Sequence, residues 1–295
     1  MRGIILAGGT GSRLFPITQA VSKQLAPIYD KPMIYYPLSV LMKAGIRDVL
    51  IISTPHDLPQ FQQLFQDGSA LGLRLSYAAQ PEPKGIAQAL LIGADFIQAQ
   101  PVALILGDNL FFGDPIQTRL AMALSQPQRA HIFAQSVAEP QRFGVVAFDA
   151  EGQPQYIVEK PSQPPSDFAV TGLYVYPNDV VAQAQALSPS ARGELEVSDL
   201  NQAYLNQGRL QVHCLPSSAT WFDTGTCDSL LAAGQFVAQI QNQRQKTIAC
   251  LEIIAYKQGW LSLAELQQRA HPLRHSTYGA NLLHFIHAQG GQDAG

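Results

Sequence analysis

The 295-residue sequence predicts an α/β fold: an open, mostly parallel mixed sheet flanked by helices. Three observations carry this. Short β-branched-rich runs recur through the first 176 positions, many are separated by stretches of helical period, and a glycine cluster follows the first run directly.

Taken in order, Gly3–Ala7 is apolar and stops at glycines, which makes it the first strand. Pro37–Ala44 has helical spacing and leads into a second strand at Asp48–Ser53. A third strand is expected at Leu73–Ala78, a helix at Ile86–Phe96, and further strands at Val102–Leu106, His131–Ser136 and Ala169–Tyr176. From about Phe143 to Tyr176 short alternating runs and turns such as "DAEGQPQ" predict a small antiparallel insertion beside the main sheet. After "WFDTGT" the pattern becomes helical, with helices expected over Ser229–Gln243 and Leu261–Arg269. The expected division is a core at 1–230 with the insertion at about 140–176, a helical C-terminal interface segment at 231–288, and a disordered tail at 289–295.

Charged residues are only 14% of the chain, below the usual quarter, which points to subunit interfaces. A formal net charge of -3 and scattered cations provide no field for nucleic acid. No run approaches the length of a membrane-spanning helix, and Ile4–Ala7 is too short for a signal-peptide core. Cys214, Cys227 and Cys250 form neither a zinc pattern nor a disulfide framework. A cytoplasmic protein with no nucleic-acid or membrane partner is expected.

The loop "LAGGTGSR" after the first strand sits where open sheets bind ligands. A dinucleotide fingerprint would need a third glycine at Leu14 and an acid after "IISTP"; neither is present. A P-loop would need four residues between its glycines followed by Lys and Ser or Thr, and that spacing is also missing. What remains is a group of backbone N–H donors at Gly8, Gly9, Gly11 and Ser12 close to two cations, Arg13 and Lys23, which suits a triphosphate. A glycine-rich turn with surface charges is the alternative for the loop taken by itself.

The loop, with "SKQLAPIYDKPMIYYPL" after it, resembles the nucleotide-sugar pyrophosphorylases, specifically those that join dTTP to glucose 1-phosphate. The likeness continues in order through "LIISTP", "QPEPKGIAQA", "LILGDNLFFG", "RFGVVAFD", "VEKPSQP", "AVTGLYVY", "SARGELEVSDLN" and "WFDTGT", spanning roughly residues 1 to 285. It implies a Rossmann-like fold, dTTP and glucose 1-phosphate as substrates, Mg²⁺ as cofactor and a homotetramer.

The implied reaction is attack of a sugar 1-phosphate oxygen on the α-phosphorus of a nucleoside triphosphate. A phosphate monoester has a second pKa of about 6 and is already largely dianionic at neutral pH, so no general base is required. The demand is for cations and a metal that hold two anions in line. Asp108 closes the strand-like run "VALILGD", Asp223 lies in the turn-like "WFDTG", and the resemblance makes these two the metal ligands. It further implies that Arg13 and Lys23 clamp the triphosphate and that Lys160 and Arg192 bind the sugar phosphate. Glu159 would accept sugar hydroxyls, Gly144 and Val170 would offer backbone groups, and Asn109 belongs to the same sugar-phosphate set. Gln80 and Gly85 would recognise the base, an amide matching the adjacent acceptor and donor of a pyrimidine edge.

The sequence departs from this pattern at three places. Lys84 replaces an acid beside the base-recognition residues; facing solvent it changes nothing, whereas facing the nucleotide it bears on thymine over uracil. "CLPSSATW" and "CLEIIAY" replace a glycine-rich and a more polar block. His271 and His275 straddle Pro272, which disfavours a regular helix and a zinc pair. Two other readings stay open: a UTP-using sister enzyme, and a catalytically silent sugar-nucleotide sensor.

Overall fold

The computed structural model describes residues 1–244 and 247–290. Its strands, in chain order, are β1 Arg2–Ala7, β2 Pro27–Ile28, β3 Lys31–Pro32, β4 Asp48–Ser53, β5 Arg74–Ala79, β6 Val102–Leu106, β7 Asn109–Phe112, β8 Ala130–Ser136, β9 Gly144–Phe148, β10 Pro154–Glu159, β11 Phe168–Tyr176, β12 Leu210–Cys214 and β13 Thr220–Asp223. Alternation along β1 builds two cores, because successive side chains leave opposite faces of a strand. Ile5 and Ala7 join one core with Val49, Ile51, Ala103 and Ile105; Ile4 joins the other with Leu50, Ile52, Val102 and Leu104.

The main sheet has nine strands, running β10-β9-β11-β6-β1-β4-β5, with β8 added to β11 and β12 added to β8. The segment β6-β1-β4-β5 is parallel throughout, while β11 lies antiparallel to β6, β8 and β9. It is a mixed sheet with helices on both faces, as the alternation predicts. Strands β9 to β11 supply the expected antiparallel segment, but they are hydrogen-bonded into the main sheet through β11 rather than standing beside it.

One core is covered by helices Tyr35–Lys43, Leu58–Phe65, Asp114–Leu124 and Leu251–Lys257. The other lies beneath Gln88–Ile92, Ala94–Ile97, Val180–Gln185 and Val197–Asn206. The helix expected at Ser229–Gln243 spans Cys227–Arg244 and buries Ala233 and Val237 against Ile28, Met33 and Leu110. The helix expected at Leu261–Arg269 spans Leu263–Leu273. Ser262 starts it by accepting from the Glu265 N–H in a capping box, and Pro272 lies inside it, one residue from its end, so that the helix stops directly after the proline. Gln289 and Gly290, expected in the tail, close the helix Thr277–Gly290; residues 291–295 lie outside the described residues.

On neighbouring β8 and β12, the buried rings of His131 and His213 stack and are 3.1 Å apart, Nδ1 to Nε2. On β11 the register against β8 shifts between Val170 and Tyr174, so Thr171 and Gly172 leave the regular ladder with β8, and both line a cleft at this end of the sheet. Among the described residues no helix is long and apolar enough to cross a membrane.

Candidate active site

The site lies past the carboxyl ends of β1 and β6, where the chain leaves the parallel strands. Gly9 and Gly11 adopt φ of 90° and 60°, which lets the loop after β1 fold back on itself. It is tied down from below: Gly11 C=O accepts from the Leu14 N–H at 2.8 Å and from Thr18 Oγ1 at 2.8 Å, and Gly8 C=O accepts from Gln24 Nε2 at 3.2 Å. Gly8, Gly9, Gly11, Ser12, Arg13 and Lys23 surround a 240 Å³ cleft together with Asp108 and Gly225. Lys23 stands on a short turn, nearly buried, and its ammonium pairs with Asp108 Oδ2.

Asp108 and Asp223 are brought together by a two-stranded ribbon outside the main sheet. β7 pairs antiparallel with β13, aligning Asn109 with Asp223, and Thr224 donates from both its N–H, at 3.2 Å, and its hydroxyl, at 2.7 Å, to the Asp108 C=O. The two acids have opposite electrostatic settings. Burial disfavours charge on Asp108, but Lys23 and the Asn109 amide outweigh it and hold the carboxyl below its ordinary range. Burial and then the negative charge of Asp108 push Asp223 upward, against the pull of Lys23, Arg13 and Arg142. Gly225 keeps the space beside this acid open: a methyl there would stand 3.1 Å from Asp223 Oδ2 and 3.4 Å from Arg13 Nη2.

A second cleft, of 320 Å³, shares Arg13 and Asp108 with the first. Its walls come from β9, β10 and β11 and carry Gly144, Glu159, Lys160 and Val170, with Asn109 and Asp223 at the base. Glu159 is set by the Ser198 hydroxyl, which donates to Oε2 at 2.6 Å, and by Lys160 Nζ at 3.5 Å. Asn109 stands in this cleft as a clamp. Its Oδ1 accepts from Trp221 Nε1 at 2.5 Å and from the Gly172 N–H at 3.0 Å, and its Nδ2 donates to Asp108 Oδ1 at 2.9 Å.

Three of the sequence-derived candidates lie outside both clefts. Gln80 is buried under the loop against Gly8, with its Nε2 donating to Gln88 Oε1 at 2.7 Å. Gly85, at φ 97°, packs on the Leu195 backbone between the bonds Leu195 N–H to Lys84 C=O and Ala87 N–H to Leu195 C=O. Arg192 is held by carboxylates: Glu196 at 2.9 Å, Glu159 at 3.4 Å and Glu194 at 3.4 Å. Lys84 points into solvent, paired with Glu82 at 2.7 Å, with both side chains more than half exposed. Sequence reasoning missed Arg142, Trp221 and Tyr174, which line the second cleft. Arg142 and Trp221 sit in the quoted blocks "RFGVVAFD" and "WFDTGT", so a cation and an indole donor beside matched residues were the available signals.

Among the described residues no cluster of three or more His, Cys, Asp and Glu could hold a metal ion. The two carboxylates are nevertheless a fitting set for a hard dication, which takes one or two acids and completes its shell with water and phosphate oxygens. Such an ion would relieve both the burial of the Asp223 charge and its repulsion by Asp108, which together push that carboxyl upward.

A nucleotidyl transferase family pattern matches residues 2–240. A glucose-1-phosphate thymidylyltransferase of Neisseria gonorrhoeae is 54% identical over 286 residues, covering 97% of this chain and 99% of its own. One from Mycobacterium tuberculosis is 52% identical over 286 residues, with the same 97% and 99% coverage. A Bacillus anthracis structure assigned to the same enzyme superposes with a TM-score of 0.75 at 39% identity, over 80% of this chain and 94% of that one. A UDP-glucose pyrophosphorylase bound to UDP-glucose, at TM-score 0.72 and 24% identity over 81% and 98% of the two chains, bears on the fold alone. With the family pattern running through both clefts and half-identical relatives spanning nearly the whole length, the chain belongs to the nucleotidyl transferase family, among the glucose-1-phosphate thymidylyltransferases.

Proposed function

We propose that this chain condenses dTTP with α-D-glucose 1-phosphate to give dTDP-glucose and pyrophosphate, by in-line displacement at the α-phosphorus. The observation that supports it most is two contiguous clefts, each bearing cations, that share Arg13 and Asp108. One has the backbone donors and charges for a triphosphate; the other has Lys160 and a seated carboxylate for a sugar phosphate.

In this reading the N–H groups of Gly8 to Ser12 and the side chains of Arg13 and Lys23 hold the triphosphate, and Arg13, at the junction, bridges oxygens of the transferring phosphoryl group. Asp108 and Asp223 would hold Mg²⁺, whose chemistry is to neutralise the phosphoryl and leaving-group oxygens. Lys160 binds the sugar phosphate, Glu159 accepts sugar hydroxyls, and backbone groups of Gly144 and Val170 complete that pocket. Arg192 acts through Glu159, which it contacts, and Asn109 acts through Asp108. Gln80 and Gly85 shape the base end from behind the loop. The solvent-facing Lys84 supplies no reason to prefer UTP.

The same reading divides the chain into a catalytic core at 1–230 and an interface segment at 231–288 in a cytoplasmic homotetramer, and makes it the first step of dTDP-rhamnose-type sugar synthesis. The test is pyrophosphate release across a matrix of triphosphates and sugar 1-phosphates in Mg²⁺. The expected best pair is dTTP with glucose 1-phosphate. Equal or better turnover with UTP ends the thymidylyl assignment, and binding without turnover for every pair leaves a sensor.

A further inference from the structure

The second cleft holds one more cation than the sequence resemblance accounts for. Arg142 ends the short turn Pro140–Arg142 just before β9, and its side chain lines the 320 Å³ cleft along with Lys160, Glu159 and Asp223. It is absent from the lining of the glycine-loop cleft. Its position is set from one side by the Phe143 ring, 5.6 Å from the guanidinium carbon, and Phe143 in turn packs edge-on against Trp221 at 5.1 Å. Trp221 donates to Asn109, so the arginine stands on the same scaffold that fixes Asp108.

The contrast with Arg192 decides what Arg142 can do. Arg192 faces Glu159, Glu194 and Glu196, the last with a side chain only 8% exposed, so three carboxylates already satisfy its charge. Arg142 makes two ion pairs, a shorter one at 3.2 Å with Glu139, whose side chain is 61% exposed, and a longer one at 3.9 Å with Asp223 Oδ2 at the base of the cleft. The exposed pair with Glu139 contributes little and is given up at small cost. A phosphate dianion entering the cleft offers the planar guanidinium of Arg142 two oxygens at once and more charge than Glu139.

We infer that Arg142 is a substrate-binding residue of the sugar-phosphate cleft: its guanidinium leaves Glu139 and clamps the phosphate of the sugar 1-phosphate opposite Lys160, while offsetting the repulsion between that phosphate and Asp223. This rests on the nucleotidylyltransferase reading and adds a residue to it. The nucleophilic phosphate would then be held from two sides, as in-line attack requires.

The experiment compares wild type with Arg142→Ala and Arg142→Lys. Steady-state pyrophosphate release gives the KM for glucose 1-phosphate, and dTTP binding is measured separately without sugar phosphate. Losing a charge-assisted contact predicts a rise in that KM, or a fall in kcat/KM for the sugar, of about ten- to a hundredfold in Arg142→Ala. The dTTP dissociation constant should stay within about twofold, and Arg142→Lys should recover part of the loss by restoring charge without the fork. Unchanged sugar-phosphate kinetics in Arg142→Ala, or weakened dTTP binding as the main effect, overturns the inference. Absence of turnover in wild type would instead defeat the underlying reading. Unfolding midpoints of both variants separate a folding defect from a binding one, since Arg142→Lys keeps the turn and the charge.

Discussion

Replacing Asn109 tests whether the clamp beneath Asp108 is what holds the two clefts in register. The Asn109 amide is 2% exposed and takes part in three hydrogen bonds. Asn109→Leu keeps the volume but leaves two donors, Trp221 Nε1–H and the Gly172 N–H, without their acceptor. At about 1–3 kcal/mol for each unsatisfied buried donor, the expected loss is about 2–6 kcal/mol. Against a total stability of roughly 5–15 kcal/mol that is a large fraction. Trp221→Phe removes only the indole donor, and Asn109 Oδ1 keeps the Gly172 N–H, so the hydrogen-bond loss is about 0.5–1.5 kcal/mol. In the double variant one of the two stranded donors no longer exists. The double variant strands only the Gly172 N–H, at about 1–3 kcal/mol, so the combined loss should fall short of the sum by about 1.5–4.5 kcal/mol. Urea denaturation followed by far-UV circular dichroism supplies the cycle, and pyrophosphate release by Asn109→Leu at a temperature where it is folded should drop along with the alignment of Asp108. Strictly additive losses, or an Asn109→Leu variant as stable and active as wild type, would refute the clamp.

Asp108→Asn is expected to lower turnover at least about a hundredfold, because charge stabilisation at a bound metal is worth several kcal/mol; near-normal activity at saturating Mg²⁺ would remove Asp108 from the site. Lys160→Ala should weaken the apparent affinity for glucose 1-phosphate with little change for dTTP, and the reverse pattern in initial-rate kinetics would mean that the two phosphate clefts are exchanged. The His131–His213 pair predicts acid sensitivity. Burial first, then His131 and Arg119, push His213 down from 6.5 to about 4. Between those values the unfolded chain binds the proton that the folded one refuses, so stability is intact above pH 6.5 and declines as pH falls toward 4. By pH 5 the site accounts for about 2 kcal/mol, and His213→Phe should flatten that share of the slope in urea midpoints taken at pH 7 and pH 5. An identical slope in the variant would remove His213 from the cause.

Much of the fold was legible because buried strands write their period directly into the chain. Ile4 and Ile5 enter opposite cores as neighbours on a strand must, and Asp48–Ser53 was found to the residue. Leu210–Cys214 was harder to see, since an edge strand alternates His, Gln and apolar residues without a continuous run. The helix Thr277–Gly290 lies largely within the 231–288 stretch expected to be helical, but its mixed histidines and amides gave it no sharp bounds, and Pro272 proved to lie inside the preceding helix, one residue from its end. In the site, the glycine loop and the acid closing "VALILGD" were visible because strand ends and glycines are local features.

The residue types at the site follow from the sequence by itself: a glycine loop able to approach phosphate, an acid at the end of a strand, and two cations, Arg13 and Lys23, close to that loop. Which of those charges face a ligand was decided by tertiary structure. Thr224 and Asp108 are 116 positions apart in the chain, yet a 2.7 Å hydrogen bond and the β7–β13 ribbon set the two acids side by side. The same packing surrounds Arg192 with three glutamates and leaves Arg142 with an exposed Glu139 and, at 3.9 Å, Asp223 of the cleft, though both are arginines in matched blocks. An arginine's availability depends on the carboxylates that long-range contacts bring to it, and no local pattern along the chain encodes that distance.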